Sequence, residues 1–205
     1  MPTLFVVYLT IFATFAAAQL QAVPGCLSTE QATITNQTIF DVFLPSGAQT
    51  NLTLTSFTCP SRQAMGPAPP GTPIELCGLM DSSSVFQGTF SCTQGTTGLP
   101  LFSDCDLMSN TVVDNLIRPL EITIAPEAGL VVSMNDNTCA MVFLNDDVND
   151  TYQTCLHTIP DMAFDISEEC PNPIENGFIG SVRSLAQPGV QNWEVHIASA
   201  SEIGL

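Results

Sequence analysis

Eight cysteines constrain the fold of this chain of 205 residues more than any other feature. An even number of cysteines in a small chain predicts a set of disulfide bonds, here four, whose pairing the sequence alone leaves open. Zinc binding is disfavoured because the chain has no Cys-x-x-Cys pair and only two histidines. The cysteines are Cys26, Cys59, Cys77, Cys92, Cys105, Cys139, Cys155 and Cys170.

One pairing can be suggested from the segment that two cysteines flank. Cys59 and Cys77 lie on either side of a loop rich in proline and glycine, residues 60–73. Such a loop has little core of its own, and a disulfide across it would restrain it. We therefore predict a bond between Cys59 and Cys77.

The first 18 residues have the features of a secretory signal peptide. Residues 4–17 form an apolar run of the length found in signal peptides, which is shorter than a membrane span. Ala16 and Ala18 are small residues at the positions that signal peptidase requires, so we expect cleavage before Gln19. No later segment is long and apolar enough to span a bilayer. We therefore expect a secreted, soluble, extracellular protein.

Three Asn-x-Thr tripeptides are further signs of the secretory pathway. They predict a glycoprotein with surface glycans at Asn36, Asn51 and Asn149.

The charge of the chain excludes two classes of partner. Asp and Glu number 20 against three Arg and no Lys, for a formal net charge of −17. Nucleic acids and anionic membranes bind through positive charge, so neither is expected as a partner. Most of the acids lie in the second half of the chain.

The pattern of residues divides the mature chain into two parts. Residues 19–91 are rich in β-branched and aromatic residues, with strands expected at 38–44, 51–57 and 85–92. Residues 92–205 are acidic and mix strands with two short helices. We expect an α+β fold in which both parts share one core and two helices accompany an antiparallel sheet.

The helices and strands of the second part can be placed from periodicity. Ser103 is expected to cap a helix that ends at Pro119, and a second helix is expected to start near Pro160. The predicted buried faces are Cys105, Met108, Val112, Val113 and Leu116 on the first helix, and Ile159, Met162, Ala163, Ile166 and Cys170 on the second. Three strands at 120–124, 129–134 and 139–144 are expected to form a meander, and two more are expected at 177–182 and 192–198.

Short motifs in residues 92–198 resemble a pattern of small secreted fungal proteins. Asp104-Cys105 opens a helix, a strand pair ends in Asn137-Thr138-Cys139-Ala140, and Asn192-Trp193-Glu194-Val195 lies in the last strand. This order is similar to the fungal necrosis-inducing, killer-toxin-like effector family and to the mushroom glycan-binding proteins. The resemblance implies a protein that acts outside the cell on a glycan or on an extracellular or host protein.

Few residues suggest catalysis. No Gly-x-Ser-x-Gly elbow is present, and His157 and His196 are expected at the surface or at a strand edge. Asp161, Asp165 and Glu168 share one face of the second helix, either as a solvated surface or as carboxylates of a glycosidase. The acidic loop 145–150 could bind Ca²⁺ but is better interpreted as an exposed turn that carries a glycan.

These observations favour a non-enzymatic, effector-like or glycan-binding secreted protein without a metal or another cofactor. The alternatives are a small secreted hydrolase that acts on carbohydrate through a carboxylate pair, and a structural surface protein. The oligomeric state, the target and the disulfide pairing remain open at this point.

Overall fold

A computed structural model describes residues 19–20, 23, 26, 31–59, 73–77, 88–93, 99–115, 120–170, 179–184 and 193–204. The predicted signal peptide at 1–18, all but the last residue of the loop 60–73, and Pro119 lie outside these ranges. Within them the chain forms eleven strands and two helices. Their bounds are β1 Gln19–Leu20, β2 Ala32–Phe43, β3 Gln49–Thr58, β4 Ile74–Glu75, β5 Gly88–Thr93, α1 Phe102–Asn115, β6 Glu121–Ile124, β7 Ala128–Met134, β8 Cys139–Asn145, β9 Tyr152–Cys155, α2 Thr158–Glu169, β10 Ile179–Ser184 and β11 Trp193–Ser199.

Eight of the strands form one antiparallel sheet. Their order is β1-β2-β3-β7-β8-β11-β10-β5, so strands from both halves of the chain belong to one sheet. The other three described strands form a small sheet in the order β4-β9-β6, in which β4 and β9 are parallel. The described part of the protein is therefore sheet-rich, with two helices and four disulfide bonds.

The two strands predicted at 38–44 and 51–57 are confirmed as parts of β2 and β3, which pair as a hairpin. Strands β2 and β3 pair from Phe43 opposite Gln49 to Thr33 opposite Thr58, with an irregularity between Ile34 and Asn36. Gly47 closes the turn at φ 83°, a conformation that glycine adopts without strain.

The predicted meander is wrong at its first strand. Strands β7 and β8 pair as expected, but β6 pairs with β9 in the small sheet. The reason is that β3 and β8 occupy both edges of β7. Strand β6, in which exposed residues alternate with more buried ones, instead covers one side of the core.

The main core lies between the large sheet and the two helices. On α2 the predicted buried face is confirmed, since Ile159, Met162, Ala163, Ile166 and Cys170 are all buried. On α1 Cys105, Met108 and Val112 are buried as predicted, and Leu116 lies outside the described residues. The prediction is wrong at Val113, which is 50% exposed, while Thr111 is buried. Helix α1 also begins at Phe102, one residue before the predicted cap Ser103, and the carbonyl of Leu101 accepts the first amides.

A second, smaller core lies on the opposite face of the large sheet. Phe57, Val131 and Val142 point to this face and are fully buried. Leu20 and Val23 before β2, and Ile203 after β11, complete the cluster. Strands β7 and β8 are consequently buried on both faces.

All eight cysteines form disulfides, as predicted, but the pairing expected for Cys59 and Cys77 is wrong. Cys59 bonds with Cys26 beside the second core. Cys77 bonds with Cys155, because the parallel register of β4 and β9, which sets Ile74 opposite Tyr152, continues to these two cysteines. The other bonds are Cys92–Cys170 and Cys105–Cys139.

Candidate functional site

The outer edge of β2 is an accessible edge of the large sheet in the part of the chain that the structure describes. Strand β1 pairs only with Ala32 and Thr33, so among the described strands none pairs with the outer edge of β2 beyond that point. Residues 35–39, Asp41 and Phe43 are exposed. This segment has one acid, and the whole chain has no lysine, the residue that often protects such edges.

The side chain of Asn115, the last residue of α1, pairs with the main chain of this edge at Phe43. The Phe43 N–H donates to Asn115 Oδ1 at 2.8 Å, and Asn115 Nδ2 donates to the Phe43 carbonyl at 2.7 Å. Asn115 Nδ2 also donates to the Thr111 carbonyl of its own helix at 2.9 Å, which orients the amide. The amide thus occupies the position that a residue of a neighbouring strand would take.

In an antiparallel pair, the main-chain groups of successive residues point alternately toward the partner strand and away from it, so the outward direction at Phe43 recurs along β2. At the turn the Leu44 N–H donates to the Ala48 carbonyl. The main-chain groups of Leu44 therefore face β3, and those of Phe43 face outward. Asp41, Ile39 and Gln37 follow Phe43 at steps of two, so their N–H and carbonyl groups also point away from β3. Three successive outward residues therefore offer main-chain hydrogen bonds at an exposed edge.

Two large apolar side chains stand on the outer face of the same hairpin. Ile39 is 59% exposed and Phe43 is 58% exposed, whereas Val42 between the outward positions is buried in the main core. The segment 38–44 predicts a strand but not this exposed surface, because apolar residues occupy both of its faces. Only the position of β2 beside β3 shows which face is exposed.

The three predicted glycan acceptors lie in different surroundings. Asn36 is exposed in β2, and Asn149 is exposed in the loop after β8. Asn51 is half-buried in β3, where its register partner is Asp41.

The acidic loop 145–150 uses its side-chain oxygens to hold its own backbone. Asp147 Oδ1 accepts the N–H groups of Asn149 at 2.8 Å and Asp150 at 2.9 Å, and Asn145 Oδ1 accepts the N–H of Asp147 at 2.9 Å. Asn145 Nδ2 donates to the carbonyls of Ile124, Ala125 and Asp150. These bonds describe an ordered turn that presents Asn149 to solvent.

The two histidines lie on opposite sides of the large sheet. His196 contacts Glu194 with 2.7 Å between Nε2 and Oε2, and both side chains are mostly buried, at 16% and 13% exposure. This pair faces away from Trp193 and Val195, as the alternation of the strand predicts, but β11 is an inner strand and not an edge. His157 precedes α2, which packs on the other face. The structure therefore does not bring the histidines together.

Two of the three short motifs singled out in the sequence, Asp104-Cys105 and Asn137-Thr138-Cys139-Ala140, form a structural joint. Cys105 and Cys139 are bonded to each other, and the residues before them are also joined. Asp104 Oδ2 accepts the Thr138 N–H at 2.9 Å and the Thr138 hydroxyl at 2.6 Å. Asn137 Nδ2 donates to the Asp104 carbonyl at 2.8 Å. The Asp-Cys and Thr-Cys motifs thus connect the start of α1 to the start of β8.

The glycosidase role considered for three carboxylates of α2 stays a prediction. Their backbone belongs to α2, but the side chains of Asp161, Asp165 and Glu168 lie outside the described part of the chain.

The residues that the structure describes contain no group of three or more His, Cys, Asp or Glu side chains placed to hold a metal ion. None of the helices in the described ranges is long and apolar enough to cross a membrane. The chain matches no protein-family model, no curated protein and no solved structure.

Proposed function

We propose that this chain is a secreted, non-enzymatic binding protein that pairs an extended segment of an extracellular protein with the outer edge of β2. The observation that carries the proposal is the contact between Asn115 and Phe43. It demonstrates that an amide group approaching from outside is held by this edge at ordinary hydrogen-bond distances.

The edge next to that contact has the properties that strand addition needs. Gln37, Ile39 and Asp41 direct main-chain groups outward and are exposed. A partner strand that bonds to these groups gains affinity from the main chain and specificity from alternate side chains. Proteins that do not use such an edge usually protect it with charge, proline or a covering element.

The extracellular setting of the proposal rests on several features. Residues 1–18 have the pattern of a signal peptide, and four disulfides persist best in an oxidising compartment. The partial resemblance to secreted fungal effector and glycan-binding proteins also favours action outside the cell.

The test compares two substitutions at one exposed residue. Proline at Ile39 removes an outward N–H without removing a bond to β3, whereas Ile39→Thr keeps the main chain intact. The protein is secreted from a eukaryotic host, and its N-terminus is determined by mass spectrometry. Binding is then measured against a phage-displayed library of extended eight-residue peptides, a glycan array and a set of polysaccharides.

We expect a mature chain that starts at Gln19 and binds selected peptides saturably. We expect Ile39→Pro to weaken that binding at least tenfold and Ile39→Thr to retain it, while the disulfide map of both variants is unchanged. Equal binding by the two variants would overturn the edge as the site. Binding to glycans alone, or release of reducing sugar from a polysaccharide, would support the glycan-binding or hydrolase alternative instead.

A further inference from the structure

We propose that Asn51 carries an N-linked glycan whose first sugars pack over Ile39 and Phe43. This glycan would lie on the face of the hairpin, whereas the proposed binding edge lies in the plane of the sheet. It rests on the secretory route of the proposed function, because N-glycans are attached in that route.

The register of the hairpin places the acceptor between the two apolar side chains. Asn51 is directly opposite Asp41, and Ile39 and Phe43 stand two residues to either side of Asp41. All four residues share one face of the sheet, since side chains alternate in both strands. Ile39 and Phe43 are therefore the diagonal neighbours of Asn51, about 7–8 Å away between backbones, a distance that long side chains bridge.

The exposed apolar surface of Ile39 and Phe43 is the surface that the glycan would cover. Ile39 and Phe43 are each more than half exposed. On the opposite face of the hairpin the surface is covered, since Leu52, between Asn51 and Thr53, is fully buried. A sugar ring attached to Asn51 presents C–H groups that can lie on the face of an aromatic ring, whose quadrupole is negative there. The same packing removes apolar surface of Ile39 and Phe43 from water.

The other two acceptors lack this arrangement. Asn149 lies in a loop whose exposed apolar residue is Val148. Asn36 lies beyond the irregularity in β2, and its register partner is Ser56. Asn51 is the acceptor whose sugars would meet two exposed apolar side chains on adjacent register positions.

The chain offers a matched pair of substitutions for the test. Thr53→Val destroys the acceptor tripeptide and keeps Asn51, while Thr53→Ser leaves an acceptor tripeptide in place. Each is made in the natural chain and in a chain with Ile39→Ser and Phe43→Ser. All proteins are secreted from one eukaryotic host, glycan occupancy at Asn51 is measured on peptides, and Tm is measured by circular dichroism.

We expect Asn51 to be occupied in the natural chain and in Thr53→Ser. We expect Thr53→Val to lower Tm by about 2–4 °C relative to Thr53→Ser in the natural chain. In the Ile39→Ser, Phe43→Ser chain that difference should fall below about 1 °C, because the sugars have no apolar surface to cover.

Three results would overturn the inference. One is a secreted chain in which Asn51 is unmodified, and this result leaves the proposed function intact. Another is an equal loss of Tm in both backgrounds, which would assign the effect to Thr53 itself. A chain that stays inside the cell without a glycan would overturn both this inference and the secretory part of the proposed function.

Discussion

Asn115 binds both main-chain groups of Phe43, although the two residues are 72 positions apart in the chain. The contact joins the end of α1 to the end of β2 and occupies the one outward position of the edge that lies nearest the turn. It limits the accessible edge to Gln37, Ile39 and Asp41, the segment that we propose as the binding site.

Replacement of Asn115 by alanine should destabilise the protein. The variant loses two hydrogen bonds to β2 at a partly exposed position, so we expect a decrease of about 1–2 kcal/mol in the free energy of unfolding. Urea unfolding measures this decrease, and hydrogen exchange should show faster exchange of the Phe43 amide. Asn110→Ala is the control, because Asn110 is an exposed residue of the same helix. Equal stability of the two variants would contradict the prediction.

The joint between α1 and β8 should depend on Asp104 and not only on the disulfide beside it. Asp104→Ala removes the acceptor of two Thr138 bonds, and we expect a loss of about 1–3 kcal/mol while the Cys105–Cys139 bond remains. Asp106→Ala removes an exposed carboxylate from the same turn and serves as the control. Thermal unfolding that ranks Asp106→Ala as the more harmful change would refute this role of Asp104.

Gly129 should tolerate no side chain because the Phe57 ring lies against it. A Cβ at this position would lie 2.7 Å from Phe57 Cε1 and 2.9 Å from the Phe143 carbonyl oxygen. We expect Gly129→Ala to cost about 1–3 kcal/mol through overpacking. The cost should be smaller when Phe57→Leu is also present, since the two sites share the same space. Additive losses in the double variant, measured by urea unfolding, would show that the ring is not the obstacle.

The disulfide pairing can be determined directly. Digestion of the unreduced protein should yield four linked peptide pairs, which join Cys26 to Cys59, Cys77 to Cys155, Cys92 to Cys170 and Cys105 to Cys139. Alkylation before reduction should modify none of the eight. A peptide pair that joins Cys59 to Cys77, or any alkylated thiol in the native protein, would contradict this arrangement.

The elements that local periodicity determines could be predicted from the sequence. The buried face of α2 and the inward residues Trp193, Val195 and Ile197 of β11 follow from spacings of three to four residues and of two. These patterns need no knowledge of distant residues, because a helix or a strand presents them whatever it packs against. The disagreement at Val113 and Thr111 shows the limit, since a helix has more apolar residues than its contact face accommodates.

The pairing of distant segments could not be predicted in this way. Strand β6 joins β9 and not β7 because β3 and β8 already occupy both edges of β7. Cys77 finds Cys155 because a parallel register brings them together across 78 residues. In both cases the partner depends on the order of strands in the sheets.

The sequence by itself determined that the chain forms disulfides and where most strands and both helices lie. The tertiary structure alone decided which edge and which face stay exposed. Ile39 and Phe43 are as apolar as their buried neighbours, and their exposure follows from the position of β2 at the outer side of β3. Exposure is a property of all the elements packed around a residue, and a local pattern of residues does not contain it.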